Sequence, residues 1–307
     1  MRRTLVAIVG ATATGKTAVG ETYAERVRGV VVCADARQVF RELELGTGKP
    51  TAAERSLRPH ALFDWLGLGE RPTAGRWARA AAAVCEAAFG RGVIPVLVGG
   101  SGLYLVALQR GLHPEPPRDA NLRAMLEREC EAVGVEPMHA RLAERDPETA
   151  RRLAPRDRQR VLRALEVTTV SGHTLGWWRE LPREAPLAAD WCTYELTFSP
   201  AALAERIGER TRALWAQGLL AETRALRDAG CEPALRQLAA IGYDEALELL
   251  AGTIPQSEAE RRMNERTRQL AKRQRTWFRH QLPTTALDGS ARSATAWAEH
   301  LAATTNA

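Results

Sequence analysis

The chain has 307 residues, 45% of them hydrophobic and 26% charged, enough apolar content to bury a substantial core and too much for a disordered chain. Its formal net charge is +6 with a pI near 9.4, and the excess is arginine, the side chain whose planar fork best matches phosphate oxygens. No stretch is apolar for the length of a membrane span, and Cys33, Cys85, Cys130, Cys192 and Cys231 show neither a C-x-x-C pair nor a histidine spacing suited to zinc, a pattern that fits a reducing cytoplasm.

The first element reads as a buried strand, LVAIVG, running into Gly10, Ala11, Thr12, Ala13, Thr14, Gly15, Lys16 and Thr17. That is G-x-x-x-x-G-K-T, a phosphate-binding loop: glycines let successive N–H groups converge on one anion, and the following helix adds the positive end of its dipole. Lys16 supplies a full charge and Thr17 a hydroxyl suited to Mg²⁺. Arg2 and Arg3 before the strand imitate a signal peptide, but the apolar run stops after about seven residues, too few for one.

Residues 16 to 28 read as an amphipathic helix and VVVCAD (30 to 35) as a second buried strand. A strand, helix and parallel strand place the end of the second strand on the same edge as the phosphate loop, so Asp35 is expected beside the bound phosphates. The stretch 46 to 65 is loop-like and could cover the site with Thr47, Lys49, Arg58 and His60. A helix over about 74 to 90 then leads to the strand IPVLVGG (94 to 100), after which Ser101 puts a hydroxyl at a third strand end.

Composition shifts after Gly111. Residues 114 to 190 read as a mainly helical insertion, rich in arginine, between core segments 1 to 113 and 191 to 307. Within it RRLAPRDRQRVLRALEV carries a marked arginine excess, with Val161, Leu162 and Leu165 as its buried face. The strand WCTYELTF (191 to 198) returns the chain to the sheet, and in the helix after it Arg206 and Arg210 share a face. The last long helix, about 257 to 280, has eight basic residues and one acid between 261 and 279. Arg261, Arg268, Lys272, Arg275 and Arg279 form one stripe, while Met263, Leu270 and Trp277 form another. Such a ladder fits a nucleic-acid backbone, or a diphosphate pocket at one end with solvent elsewhere. The tail after 282 reads as a weak terminal helix with a frayed end.

The segments GATATGKT, CADARQVF, GTGKPT, RPHALFD, VLVGGSGLYL, RDRQRVLRALEV, AAIGYDE and TRQLAKRQRTWFR, in this order and spacing, resemble the tRNA dimethylallyltransferase family, also called tRNA isopentenyltransferases. The resemblance implies an α/β fold, with a parallel-sheet core like that of phosphate-loop NTPases and a mainly helical insertion that meets the anticodon stem-loop. It implies Mg²⁺ dependence, a cytoplasmic monomer, and transfer of a dimethylallyl group from dimethylallyl diphosphate to the exocyclic amine of the adenine beside the anticodon. Residues 10 to 17 with Arg206 or Arg210 would hold the diphosphate, Thr17 the metal, and Lys16, Asp35 and Ser101 would carry the chemistry. Asp35 is either the acceptor of the amine proton or a magnesium ligand.

Contact with tRNA is expected at Asp35, Ala36, Arg37, Gln38, Ser101, Arg123, Gln159, Arg160, Val161, Leu162, Arg163, Lys272, Arg273, Arg275 and Arg279. Gln38 could read an adenine edge through its amide, or cap a loop. The chain departs from the family pattern at Ala36 and Arg37, where serine and methionine are usual, at Phe40 for tyrosine and at Ser101 for threonine, so base recognition is not carried over at those positions. Two rival readings are a phosphate-loop kinase of a small metabolite and an adenylate isopentenyltransferase acting on free AMP or ADP. Neither uses the two arginine-rich helices.

Overall fold

The computed structural model describes residues 3–305. The chain divides into two compact units: Met1–Gln109 with Leu187–Ala307, and Arg110–Pro186. The return to the first unit comes at Leu187, a few residues before the expected 191, and the Leu187 N–H there bonds the Leu108 carbonyl at 2.9 Å.

The first unit holds six parallel strands: β1 (Thr4–Gly10), β2 (Val30–Cys33), β3 (His60–Ala61), β4 (Pro95–Gly99), β5 (Asp190–Thr197) and β6 (Thr285–Asp288), in the order β3-β2-β4-β1-β5-β6. β1 is buried along its whole length, as a central strand covered on both faces must be. One face packs Val6, Ile8, Val31, Val96, Val98, Leu196 and Leu287 against Val19 and Tyr23 of helix Lys16–Arg26 and Ala298 and Leu301 of helix Ala294–Thr304. The sheet and the first helix touch so closely that a Cβ on Gly20 would stand 2.4 Å from Val98 Cγ2.

The strand order puts β4 between β1 and β2, and all three run the same way, so Gly10, Ser101 and Asp35 follow three adjacent carboxyl ends on one edge. After 282 the expected terminal helix is present as Ala294–Thr304, packed on the core, and it is preceded by an unexpected sixth strand, Thr285–Asp288, beside β5. Stretch 46 to 65, expected as loop, contains the short helix Ala52–Ser56 and edge strand β3.

The second unit is helical among the described residues, with helices Ala120–Val133, Val135–Arg145, Pro147–Arg152, Arg158–Ser171 and Leu175–Glu180. Aspartates at 119, 146 and 157 cap three of them by accepting from backbone N–H groups. Its own core joins Leu126, Met138, Leu142, Val161, Leu162 and Leu165.

Candidate active site

The phosphate loop is built from three positive-φ positions, Gly10, Ala13 and Gly15, and a close backbone approach. Gly15 (φ 85°) starts the helix in the left-handed region, and Ala13 (φ 66°) holds that region despite its Cβ. A Cβ on Gly10 would stand 2.7 Å from the Leu196 carbonyl oxygen of the neighbouring strand. Thr14 ties the turn by donating its hydroxyl to the Ala11 carbonyl at 2.9 Å, and Lys16 Nζ reaches the same carbonyl at 3.3 Å. Burial pushes the Lys16 ammonium down to about 8; Asp35 opposes that shift and Arg210 adds to it. The cradle therefore concentrates buried positive charge that an anion would relieve.

Asp35 lies where the topology predicts. It acts electrostatically on Lys16, on Arg210 and on Arg37, which joins the carboxylate end to the cradle. Its Oδ1 accepts from the Arg37 N–H at 2.9 Å, a local turn that fixes the carboxyl group. The Ser101 hydroxyl accepts from the Ala36 N–H at 2.9 Å, and the Ser101 N–H bonds the Ala34 carbonyl at 3.1 Å. Gly99 allows this lacing, since a Cβ there would sit 2.0 Å from Ala34 O. Behind the carboxylate, the buried Trp77 ring stacks on Tyr104 at 4.7 Å and its N–H donates to the Cys33 carbonyl.

Both expected arginines reach the loops. Arg206 donates Nε to the Ala13 carbonyl at 2.9 Å and lies over the Phe198 ring, while the half-buried Arg210 donates to the Thr47 carbonyl at 3.1 Å. Burial holds the Arg210 guanidinium below its ordinary range, with Asp35 opposing. The loop that seats Arg210 is held from both sides. Gln38 Nε2 donates to the carbonyls of Thr47 and Gly48, and Glu222 accepts from the Glu44 and Leu45 N–H groups and from the Tyr243 hydroxyl. The Gln38 donor is thus engaged as a loop clamp, which withdraws the expectation that this amide reads an adenine edge bidentately. Thr47 contributes through its carbonyl, but Lys49 is buried in ion pairs with Glu44 and Asp64, and Arg58 pairs with Glu21 and Glu25, so neither covers the site.

The basic residues separate into two kinds. On helix Gln256–Gln281, Arg261, Arg262 and Arg266 pair with carboxylates, which removes Arg261 from the expected ladder. Arg268, Lys272, Arg273 and Arg279 are exposed, Arg275 is half-buried, and none of these five has an ion-pair partner among the described residues. Arg275 and Arg279 act on the buried Glu195, whose carboxyl is raised chiefly by burial.

In the second unit Arg123 pairs with Glu127 and Arg160 with Asp157, Arg163 bonds the carbonyls of Pro116 and Pro117 beside Glu166, and Gln159 is exposed. The side chains of Val161 and Leu162 are fully buried in that unit's core, so they are corrected from contact residues to packing residues. The arginine excess of 151 to 163 is also balanced in space, with Arg156 on Glu136 and Arg158 on Glu131 from other helices. Sequence reading missed Gln274, whose Oε1 accepts from the Thr12 N–H at 2.8 Å while Nε2 donates to the Gly100 carbonyl at 3.0 Å. Its one visible signal is a neutral amide inside the basic run KRQR.

No group of three or more His, Cys, Asp or Glu side chains suited to a metal occurs among the described residues, and no helix there is long and apolar enough to cross a membrane. The family model for IPP transferase matches residues 38–281, and that for isopentenyl transferase matches 3–58. A tRNA dimethylallyltransferase of Geobacter sulfurreducens is 40% identical over 275 residues, covering 90% of this chain and 88% of that protein. The crystal structure of a full-length tRNA isopentenylpyrophosphate transferase from Bacillus halodurans superposes with a TM-score of 0.69 at 30% identity, covering 98% of this chain and 96% of that one. A eukaryotic dimethylallyltransferase described as acting on tRNA gives a TM-score of 0.76 at 25% identity, covering 93% of this chain and 74% of that one. On the phosphate loop, the strand-end carboxylate and these matches together, the chain belongs to the IPP transferase family, the tRNA dimethylallyltransferases, which are prenyl-group transferases.

Proposed function

We propose that this protein transfers a dimethylallyl group from dimethylallyl diphosphate to the N6 amine of the adenine on the 3′ side of the tRNA anticodon. The observation that carries the reading is the strand order, in which β1, β4 and β2 end side by side and bring Asp35 to the edge of the phosphate loop, where it acts electrostatically on Lys16 and Arg210. In the transfer, the bond between the allylic C1 carbon and the diphosphate oxygen breaks and the bond from C1 to N6 forms. The N6 proton passes to the Asp35 carboxylate, and the diphosphate leaves into the donors of residues 10–17, Lys16, Arg206 and Arg210. An adenine amine is a weak nucleophile, so stabilising the leaving group contributes most of the acceleration. Ser101 holds the Ala36 peptide and keeps an O–H to donate toward a phosphate or the base.

Mg²⁺ fits the donors present: Thr17 offers one hydroxyl, and this ion takes substrate phosphate oxygens and water in preference to an all-protein cage. When bound, the ion would neutralise charge on the diphosphate. The adenine is unstacked from its loop before it enters the site. Lys272, Arg273, Arg275 and Arg279 would meet the RNA backbone; in the insertion Arg123 and Arg160 would do so by exchanging weak surface ion pairs for phosphates, Gln159 as a neutral donor, and Arg163 alongside its largely buried pair with Glu166. The protein is expected to work as a monomer in the cytoplasm.

The test is to incubate protein, Mg²⁺ and labelled dimethylallyl diphosphate with unmodified tRNA, with AMP, or with ATP and small-molecule acceptors. Label in tRNA, abolished when the target adenine is replaced by purine, is the expected result. Label in AMP instead, or ATP turnover without RNA, would favour the adenylate transferase or the kinase.

A further inference from the structure

The stretch of helix Gln256–Gln281 that meets the strand ends is basic on both sides of Gln274, yet the side chain reaching the phosphate loop is a neutral amide. That one planar group ties Thr12 of the loop to Gly100 at the end of β4. The fit is close: a Cβ on Gly100 would stand 2.3 Å from Gln274 Nε2, and one on Gly102 would stand 2.0 Å from the Trp277 ring. A carboxylate of the same length cannot donate to Gly100, a lysine or arginine cannot accept from Thr12, and an asparagine is one methylene too short.

The loop needs such a support. Ala13 holds a left-handed φ without being glycine, a conformation that persists only where its surroundings over-determine it. Two side chains from outside the loop hold adjacent residues of the turn, Gln274 on the Thr12 N–H and Arg206 on the Ala13 carbonyl. We propose that Gln274 is a positioning residue for the diphosphate. It holds the Thr12 peptide in register with the end of β4, and so makes the grip on diphosphate depend on the seating of the helix that carries Lys272, Arg273, Arg275 and Arg279. The inference rests on the reaction proposed above.

Gln274→Met keeps the length and removes both hydrogen bonds; Gln274→Glu keeps the acceptor, removes the donor and adds a negative charge beside the anion. The affinity for inorganic diphosphate is measured with Mg²⁺ on enzyme saturated with an anticodon hairpin whose target adenine is replaced by purine, so that no turnover occurs. Hairpin affinity and thermal unfolding are measured alongside. The expected result is a loss of about tenfold for Gln274→Met and more for Gln274→Glu, with hairpin affinity within about twofold of wild type. Diphosphate affinity unchanged in a folded variant overturns the inference, and a loss confined to the hairpin makes Gln274 an RNA contact instead. Should Gln274→Met fail to fold, the same readout on Gln274→Glu decides. Wild-type protein that does not bind diphosphate under these conditions overturns the reaction itself, and is thereby distinguishable from failure of the inference alone.

Discussion

Lys16 is the residue on which the grip is most sensitive to solution conditions. Its ammonium is buried, and burial brings it down to about 8, so near that pH it begins to lose its proton in the free protein. A bound diphosphate favours the charged form and raises the value again. Diphosphate affinity is therefore full below about pH 8 and falls above it, by up to about tenfold per pH unit until the bound-state value is reached. Inhibition by inorganic diphosphate across pH 6.5 to 9.5, a range set by the value of about 8, measures this; Lys16→Arg, which does not titrate there, should flatten the fall. Both the position and the role of Lys16 are legible in G-x-x-x-x-G-K-T, because the spacing itself creates the loop. Gln274 is not, since its function exists only once a helix some 262 residues further along approaches Thr12.

At the scale of elements, the loop around Thr47 and the cationic helix each make a prediction. Gly48 has φ 60°, and a Cβ there would stand 2.2 Å from Arg210 Nη2. Gly48→Ala should displace Arg210 and weaken diphosphate binding by roughly tenfold, on the order of one lost charge-assisted contact, while overall stability falls by about 1 kcal/mol. Calorimetric titration with diphosphate and a thermal melt check the two effects separately. On helix Gln256–Gln281, single glutamine substitutions at Lys272, Arg273 or Arg279 should each lower the slope of log affinity against log salt for tRNA by about 0.7 to 0.9. Arg261→Gln should leave that slope unchanged, because Arg261 is already paired with Glu258 and Glu265. The helix was legible from its spacing, and the division of its charges was not. Glu258 and Glu265 lie near in sequence, but Glu248, Asp244 and Glu245 reach the same helix by folding. The insertion makes the same point, since Arg158 meets a glutamate 27 residues earlier in the chain. β6 was invisible for a different reason: three of its four residues are exposed, so it carries no run of buried apolar side chains.

For the molecule as a whole, the parallel sheet converts sequence order into a functional edge. β1, β4 and β2 end side by side, and their ends deliver a phosphate cradle, a hydroxyl and a carboxylate. This edge is legible in the sequence alone, because a strand, a helix and a parallel strand leave little freedom in where Asp35 emerges. The central claim is that Asp35 accepts the amine proton beside a cradle it does not itself build. Asp35→Asn separates those roles: the amide keeps the shape but cannot take the proton, and it removes a negative charge close to Lys16 and Arg210. The most direct measurement is single-turnover prenyl transfer to tRNA by Asp35→Asn, set against its affinity for inorganic diphosphate. The account predicts transfer slower by about 10²- to 10⁴-fold with diphosphate bound as well as, or more tightly than, in the wild type. Equal loss of transfer and of diphosphate affinity would contradict it and assign Asp35 to the metal.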